Sequence, residues 1–297
     1  MHFPKVSIVI PSYKAEHFEQ CLRSAIGQTY PNIEIVVSDN CPTEAIRDIC
    51  ARFPGVIYQR NSAIREANVL AAFYSGKGEL IKPLFDDDIL HPFCVERMVA
   101  ALQGRDDVQL VFSASQVIDA RNQRVETRRP YEASGSMSGL DMQRDMTLGM
   151  RNFIGEFTTI LFRRDKLWQV GPKALFAVGP HDCTHGLADV AAYINLAAGG
   201  AAFYVDEELS YFRRDPVLQS NSNPNANPNF GYCFSDYIDL LPAAHATGAI
   251  TSGELLAVQD QVHGVYLSLR DVFPQIPRSY ERYLTYLQPL KDQASWQ

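Results

Sequence analysis

The sequence predicts an α/β fold: a mainly parallel central sheet with flanking helices, plus a small C-terminal helical appendage. Three observations predict it. The first 115 residues alternate short β-branched runs with longer stretches of helical periodicity. Residues 232–297 carry helical periodicity alone, as at Leu255, Val258, Val262 and Val265. The chain has 297 residues, 46% of them hydrophobic and 21% charged, enough for one large packed domain and an appendage. Strand–helix alternation builds parallel sheets, because each crossover helix packs back onto a sheet face.

The elements follow in order. Val6 to Ile10 is an apolar run ended by Pro11 and reads as the first strand. Glu16 to Gly27 places Phe18, Cys21, Leu22, Ala25 and Ile26 at helical spacing. Ile33 to Val37 is a second buried strand, and Thr43 to Phe53 a helix that Thr43 can cap. Val56 to Tyr58 is a third strand, Glu66 to Ser75 a helix, and Leu80 to Phe85 a fourth strand. Pro92 opens the next helix, where its missing N–H costs nothing, and Val108 to Phe112 is a fifth strand. Residues 120–150 are polar and read as an insertion or lid. Thr158 to Phe162 and Ala201 to Val205 read as strands, with Gly186 to Ala198 a helix between them. The SNSNPNANPN stretch at 220–229 disfavours regular structure and reads as a linker or loop.

Composition narrows the function. The formal net charge is −7, without a basic run, which argues against nucleic acid as the main partner. No apolar stretch reaches the about 20 residues a membrane-spanning helix needs. The opening MHFPKVSIVIPSYK lacks the length of a signal core. A cytoplasmic setting is expected, with peripheral contact at the inner membrane face left open. The cysteines, Cys21, Cys41, Cys50, Cys94, Cys183 and Cys233, show no CxxC spacing, so reduced thiols are expected rather than a disulfide frame or a zinc site. There is no GxGxxG, GxxxxGK[ST] or GxSxG pattern, against a dinucleotide fold, a P-loop NTPase and a hydrolase.

In parallel α/β sheets ligands bind beyond the carboxyl ends of the strands. That selects Pro11-Ser12-Tyr13, Ser38-Asp39-Asn40 and Asp86-Asp87-Asp88. Three adjacent carboxylates repel one another unless a cation relieves them, and Mg2+ or Mn2+ takes oxygen ligands together with substrate phosphates. An acidic turn capping the next helix is the plainer alternative. Asp39 could accept the N3–H of a uracil or thymine ring, with Tyr13 against the base; alone it would be a turn residue bonding its own backbone. Asp189 lies in the otherwise apolar GLADVAAYINLAAGG, as a general base or as a first-turn acid favoured by the helix dipole. Arg213 and Arg214 could grip a diphosphate or lie exposed. His181, Asp182 and His185 form an HDxxH cluster that suits acceptor binding better than a metal.

VSIVIPSYKAEHFEQCLRSAIGQTYPNIEIVVSDN (6–40) followed by GKGELIKPLFDDDILHP (76–92) resembles the family 2 glycosyltransferases of the GT-A, Rossmann-like fold. The resemblance covers the first 115 residues strongly. It continues more weakly through FTTILFRRD, LADVAAYINLAAGG and VDEELSYFRRD. It implies an inverting transfer from a UDP- or dTDP-linked sugar to an acceptor hydroxyl, in the setting of bacterial surface polysaccharide or glycoconjugate assembly. The acceptor could be a saccharide, a lipid-linked species or a protein. By that resemblance Asp39 binds the base and Pro11, Ser12 and Tyr13 pack the nucleoside. Asp87 is the principal ligand for Mg2+ or Mn2+, and Asp86 lies near the ribose and diphosphate. Asp189 is the catalytic base, while Arg65, Asn68 and Arg213 lie at the donor. Asp88 is left to a structural role at the helix entry. Phe85 stands in place of an acid, Ala188 in place of a Glu, and Asp215 in place of a His.

The implied organisation is a glycosyltransferase domain at 1–219, a linker at 220–231 and a helical region at 232–297. Within the domain, 1–115 forms the donor half and 116–219 the acceptor half. A nucleotidyltransferase would carry a Gly-rich loop after the first strand, and SYKAEHFEQ has no glycine. A non-catalytic nucleotide-sugar-binding module would keep Asp39 without needing Asp87 and Asp189.

Overall fold

The computed structural model describes residues 3–214, 227 and 229–294. In chain order it begins β1 (Val6–Ser12), α1 (Phe18–Ile26), β2 (Ile33–Asp39), α2 (Ala45–Cys50), β3 (Val56–Arg60), α3 (Glu66–Ser75) and β4 (Leu80–Pro83). There follow β5 (Ile89–Leu90), α4 (Cys94–Ala100), β6 (Val108–Ile118), β7 (Arg124–Arg128), β8 (Gly135–Ser138) and α5 (Gly139–Leu148). A 3-10 turn at Phe157–Thr159 leads into β9 (Ile160–Arg163), α6 (Arg164–Val170), β10 (Ala177–Val178), β11 (His181–Asp182), α7 (Ala188–Ala197) and β12 (Ala201–Arg213). The chain ends in α8 (Phe230–Ala246), α9 (Ser252–Ala257), α10 (Gln259–Leu269) and α11 (Ile276–Ala294).

These elements form two compact units. One comprises Met1–Met137, Ile154–Pro172 and Gly200–Asp215; the other comprises Ser138–Phe153, Lys173–Gly199 and Pro216–Gln297. Segments 138–153 and 173–199, inside the expected acceptor half, thus cluster with the C-terminal helices.

The first unit is built on a sheet of order β3-β2-β1-β4-β9-β6-β12-β5, with β7 beside β6 and β8 beside β12. Strands β3, β2, β1 and β4 run parallel, as do β6 and β12, while β9 is antiparallel to both its neighbours. The α/β class with a mainly parallel sheet is therefore as the sequence predicts. All of β1 is buried, which explains why it is mostly apolar, with Ser7 and Ser12 as its buried polar residues: a central parallel strand is covered on both faces. Its core packs Val6, Ile8 and Ile10 with Phe18, Leu22, Val37, Leu84 and Val111.

Several boundaries moved. The Thr43 hydroxyl accepts the Ala45 N–H at 3.4 Å, but α2 starts only at Ala45 and ends at Cys50. Pro92 precedes α4 rather than opening it. The expected fifth strand runs on to Ile118, and the strand from Ala201 runs on to Arg213. Residues 120–150, expected as an insertion or lid, are regularly structured. They hold β7, β8 and α5, and α5 is capped by the Ser138 hydroxyl, which accepts from the Asp141 N–H. β7 hid in the sequence because its RVETR side chains are exposed and lack apolar alternation.

The second unit packs Ile238, Leu241, Ala244, Leu255, Val262, Tyr283 and Leu287 into its own core. Its α9 begins with a capping box, Thr251 and Glu254 each bonding the other's backbone N–H. The helical character expected of 232–297 is present in the described residues, which reach Ala294. Most of the 220–231 stretch, and Asp215, lie outside the described residues. Among the described residues no helix is long and apolar enough to cross a membrane.

A polar tie sets the start of β4. The Ser7 hydroxyl donates to Glu34 at 2.5 Å and accepts from the Gly78 N–H at 2.7 Å; Glu34 also accepts from the Lys77 N–H at 2.6 Å. A Cβ on Gly78 would lie 2.6 Å from the Lys5 carbonyl oxygen and 2.7 Å from the Ser7 nitrogen, both rigid backbone. Gly78→Ala is therefore expected to lower unfolding free energy by about 1–3 kcal/mol, the usual cost of overpacking. Urea denaturation checks it, and an unchanged midpoint would contradict the tie.

Candidate functional site

The three aspartates sit in the turn between β4 and β5, and each does something different. Asp86 is buried, and its Oδ2 accepts the N–H groups of Tyr13 and Lys14 at 2.6 and 2.7 Å. It thereby fixes the chain leaving β1. Burial, and then the adjacent Asp87 carboxylate, push its pKa up to about 6. Asp88 is also buried. Its Oδ1 accepts the Arg213 N–H at 3.0 Å, and its Oδ2 accepts the Thr158 hydroxyl. Burial and Asp87 raise it well above the usual carboxylate range. Asp87 keeps a side chain 16% exposed, with the Lys14 ammonium 3.3 Å from its Oδ2. Of the three, Asp87 is the carboxylate with the most open surroundings, and it already draws a positive group. A partly open carboxylate is a hard oxygen donor of the kind a divalent cation takes.

Phe85, which replaces an acid, stacks on Phe157 with ring centroids 5.8 Å apart. Its carbonyl accepts the Cys21 thiol at 3.1 Å, and its N–H donates to Thr158 at 3.1 Å. The substitution thus adds apolar packing at the base of the aspartate turn.

The ends of β1 and β2 lie side by side, with Ser12 opposite Asp39 in register. Pro11 and Ser12 are buried, whereas Tyr13 is 57% exposed, leaving its ring available to a planar ligand. Asp39 is buried. Its Oδ1 accepts the Cys41 N–H, and its Oδ2 accepts Tyr58 Oη and Arg60 Nη1, all at 2.7 Å. Tyr58 and Arg60 went unrecognised in the sequence. They stand on β3 opposite Val37 and Asp39, a register that only the folded sheet supplies. Lys14 and Thr158 went unrecognised too, the latter because it lies 70 residues from Asp88 in sequence.

Two expected donor contacts need correction. Arg213 is only 2% exposed. Its guanidinium donates to the carbonyls of Asp87 and Asp119 and to Gln20 Oε1, at 2.8, 2.9 and 3.0 Å. It is an internal brace of the aspartate turn rather than an outward diphosphate grip. Asn68 is buried, and its amide is saturated: it donates to the Ser38 carbonyl and to Asn40 Oδ1, and accepts from the Ser38 hydroxyl and Asn61 Nδ2. It pins α3 to the end of β2 instead of facing a ligand. Arg65 stays exposed at the entry to α3 with φ of 50°, a left-handed conformation that costs a non-glycine residue about 1–3 kcal/mol. Such outliers cluster at ligand sites.

In the second unit Asp189 lies in the first turn of α7, part-buried. Its Oδ2 accepts from Asn152 Nδ2 at 2.7 Å, and its Oδ1 accepts the Val190 N–H at 2.8 Å. The HDxxH residues do not converge. His185 lies against the Tyr232 ring, and Asp182 accepts from the N–H and hydroxyl of Thr184. His181 instead meets Cys183 and Asp236.

With this geometry in view, the chain's relatives take their place. Residues 7–171, more than half the chain, match the model of glycosyl transferase family 2, and the chain belongs to that family. An uncharacterized glycosyltransferase of Nostoc sp. (strain PCC 7120) is 27% identical over 129 residues, 41% of this chain and 40% of the relative. The match thus spans two fifths of that relative's length. An uncharacterized protein of Mycobacterium tuberculosis (strain CDC 1551) is 28% identical over 229 residues, 73% of this chain and 69% of the relative. Among solved structures, S. aureus TarS 1–349 in complex with UDP-GlcNAc superposes with a TM-score of 0.61 at 14% identity. It covers 95% of this chain and 81% of that one. At that identity the likeness shows a shared GT-A fold.

The brace reading of Arg213 has a direct consequence. Arg213→Ala removes three hydrogen bonds made by a buried guanidinium and leaves the part-buried carbonyls of Asp87 and Asp119 without that partner, whereas exposed Gln20 can turn to water. A polar group left unpaired costs roughly 1–3 kcal/mol when fully buried. Urea unfolding is expected to show a loss of about 2 kcal/mol or more. A loss below about 1 kcal/mol, with donor affinity strongly reduced, would instead place the guanidinium on the donor.

Proposed function

We propose that this chain is an inverting, metal-dependent glycosyltransferase that moves a sugar from a UDP- or dTDP-linked donor to an acceptor hydroxyl. The division of labour among the aspartates carries the reading. Two are held by internal hydrogen bonds, and Asp87 stays partly open beside a cationic side chain. Family membership supports it, as does the fold shared with S. aureus TarS 1–349, whose structure holds UDP-GlcNAc.

In this reading Asp39 accepts the N3–H of the base through its remaining lone pairs, while Tyr58 and Arg60 hold its carboxylate in place. Tyr13 lies against the ring, Pro11 and Ser12 shape its floor, and Asp86 shapes the ribose and diphosphate end. Arg65 sits beside the diphosphate. Asp87 is the protein ligand for Mg2+ or Mn2+, which when bound neutralises charge on the departing diphosphate. Asp189 takes the proton from the acceptor hydroxyl as that oxygen attacks the anomeric carbon, and the configuration inverts. Asn152 orients its carboxylate. Assembly of bacterial surface polysaccharide or another glycoconjugate is the proposed setting.

Asp189→Asn is expected to lower transfer by roughly 10²–10⁴-fold, the usual contribution of a positioned base. Donor binding should stay within about two-fold of wild type. Transfer to a mixed acceptor pool, alongside nucleotide-sugar thermal shifts with Mn2+, reads both. Normal turnover by the variant would remove Asp189 as the base. Donor binding with no transfer or hydrolysis in the wild type, with or without Mn2+, would leave a binding module.

Asp87→Ala is expected to abolish the Mn2+-dependent part of the UDP thermal shift and to keep the fold. Asp39→Asn should weaken UDP binding whether or not metal is present. Equal responses of the two variants to Mn2+ would contradict the separation of metal and base sites.

A further inference from the structure

The second unit holds a cluster of donor atoms that the transferase reading does not use. β11 and the residue after it supply His181 and Cys183, and α8 supplies Asp236. The imidazole nitrogen, thiol sulfur and carboxylate oxygen all lie within 4.8 Å of one another. Cys183 and Asp236 are buried. We propose that these three side chains bind a transition-metal ion of the zinc class, separate from the hard-cation site at Asp87.

Three features carry the assignment. The donor set comes first: nitrogen, sulfur and one carboxylate oxygen match a borderline ion such as Zn2+ and are wrong for Mg2+, which takes oxygens. Charge comes second. Asp236 and a Cys183 thiolate contribute two negative charges and a neutral His181 none, so a divalent ion leaves the buried centre neutral. Without one, the thiol is buried next to carboxylates, and among the described residues none accepts a hydrogen bond from it. The third feature is the support around the ligands. His181 Nε2 lies 3.1 Å from Asp236 Oδ1, while its Nδ1 faces Asp239 Oδ2 at 3.9 Å. Asp239 is itself held by the Ser279 hydroxyl at 2.7 Å and by Arg282 Nε at 2.9 Å and Nη2 at 2.6 Å. A histidine with one nitrogen toward the ligand atoms and the other toward an anchored carboxylate is the common arrangement at zinc. The second oxygen of Asp236 accepts the Leu187 N–H at 2.9 Å, so the carboxylate is fixed as well.

The consequence is local. Leu187 is the residue from which α7 starts, and an ion held by His181, Cys183 and Asp236 clamps the chain from β11 to that helix entry. Three protein ligands leave a fourth position for water or a small ligand. The expectation of plain reduced thiols thus changes for Cys183, because α8 supplies the partner that no CxxC spacing could reveal.

The test uses the full chain, stripped with a chelator and then loaded with Co2+. The expected result is one tightly held cobalt per chain, with a thiolate-to-cobalt charge-transfer band in the near ultraviolet that Zn2+ abolishes. Asp87→Ala should keep the band, and Cys183→Ala should lose it while keeping the wild-type circular dichroism. Asp239→Asn should keep the band but weaken affinity by roughly 10–100-fold, as loss of an outer partner does. No band in the folded wild type overturns the proposal. So does a band that survives in Cys183→Ala, or one that depends on Asp87.

Discussion

Everything at the candidate donor site depends on two buried carboxylates being bonded to backbone and hydroxyl groups. Asp86 holds the Tyr13 and Lys14 N–H groups, and Asp88 holds the Thr158 hydroxyl and the Arg213 N–H. These bonds tie the turn after β4 to the ends of β1 and β12 and to the turn before β9. They also offset part of the cost of burying negative charge; burial and then the neighbouring Asp87 carboxylate outweigh them, and both groups titrate high. The acid between them is left neither buried nor saturated. The proposed cation site rests on the geometry that these neighbours impose.

Much of this was legible in the sequence, for a physical reason. A parallel sheet displays its ligand-binding residues at strand ends, and the strands announce themselves as apolar runs. Asp39 and the aspartate cluster could therefore be picked out as candidates by position. What could not be found depends on register and on distant chain. β12 departs from regular pairing with β6 between Val205 and Glu208 and again between Glu208 and Ser210. Such irregularities re-aim side chains, so nothing local says that Arg213 turns inward. Thr158, Tyr58 and Arg60 reach the site only through sheet neighbours. Asn68 looked like a ligand contact and proved to be a saturated pin, because short polar side chains serve both uses.

The inward Arg213 and the Phe85–Phe157 stack together show how the site tolerates departures from its family's pattern. An acid is missing at residue 85, yet the turn is held by stacking beneath it and by a guanidinium bonded to three oxygens. Stability of the turn is thus carried by groups other than the Asp87 carboxylate. In the proposed function the Lys14 ammonium would compete with the cation for the Asp87 oxygen, which would favour a cation that arrives with a diphosphate.

The most direct measurement is anomalous diffraction from crystals grown with UDP and Mn2+. The account predicts a manganese peak coordinated by Asp87 and by diphosphate oxygens, with the uracil N3 directed at Asp39. Manganese away from Asp87, or a uracil ring that does not meet Asp39, would contradict it.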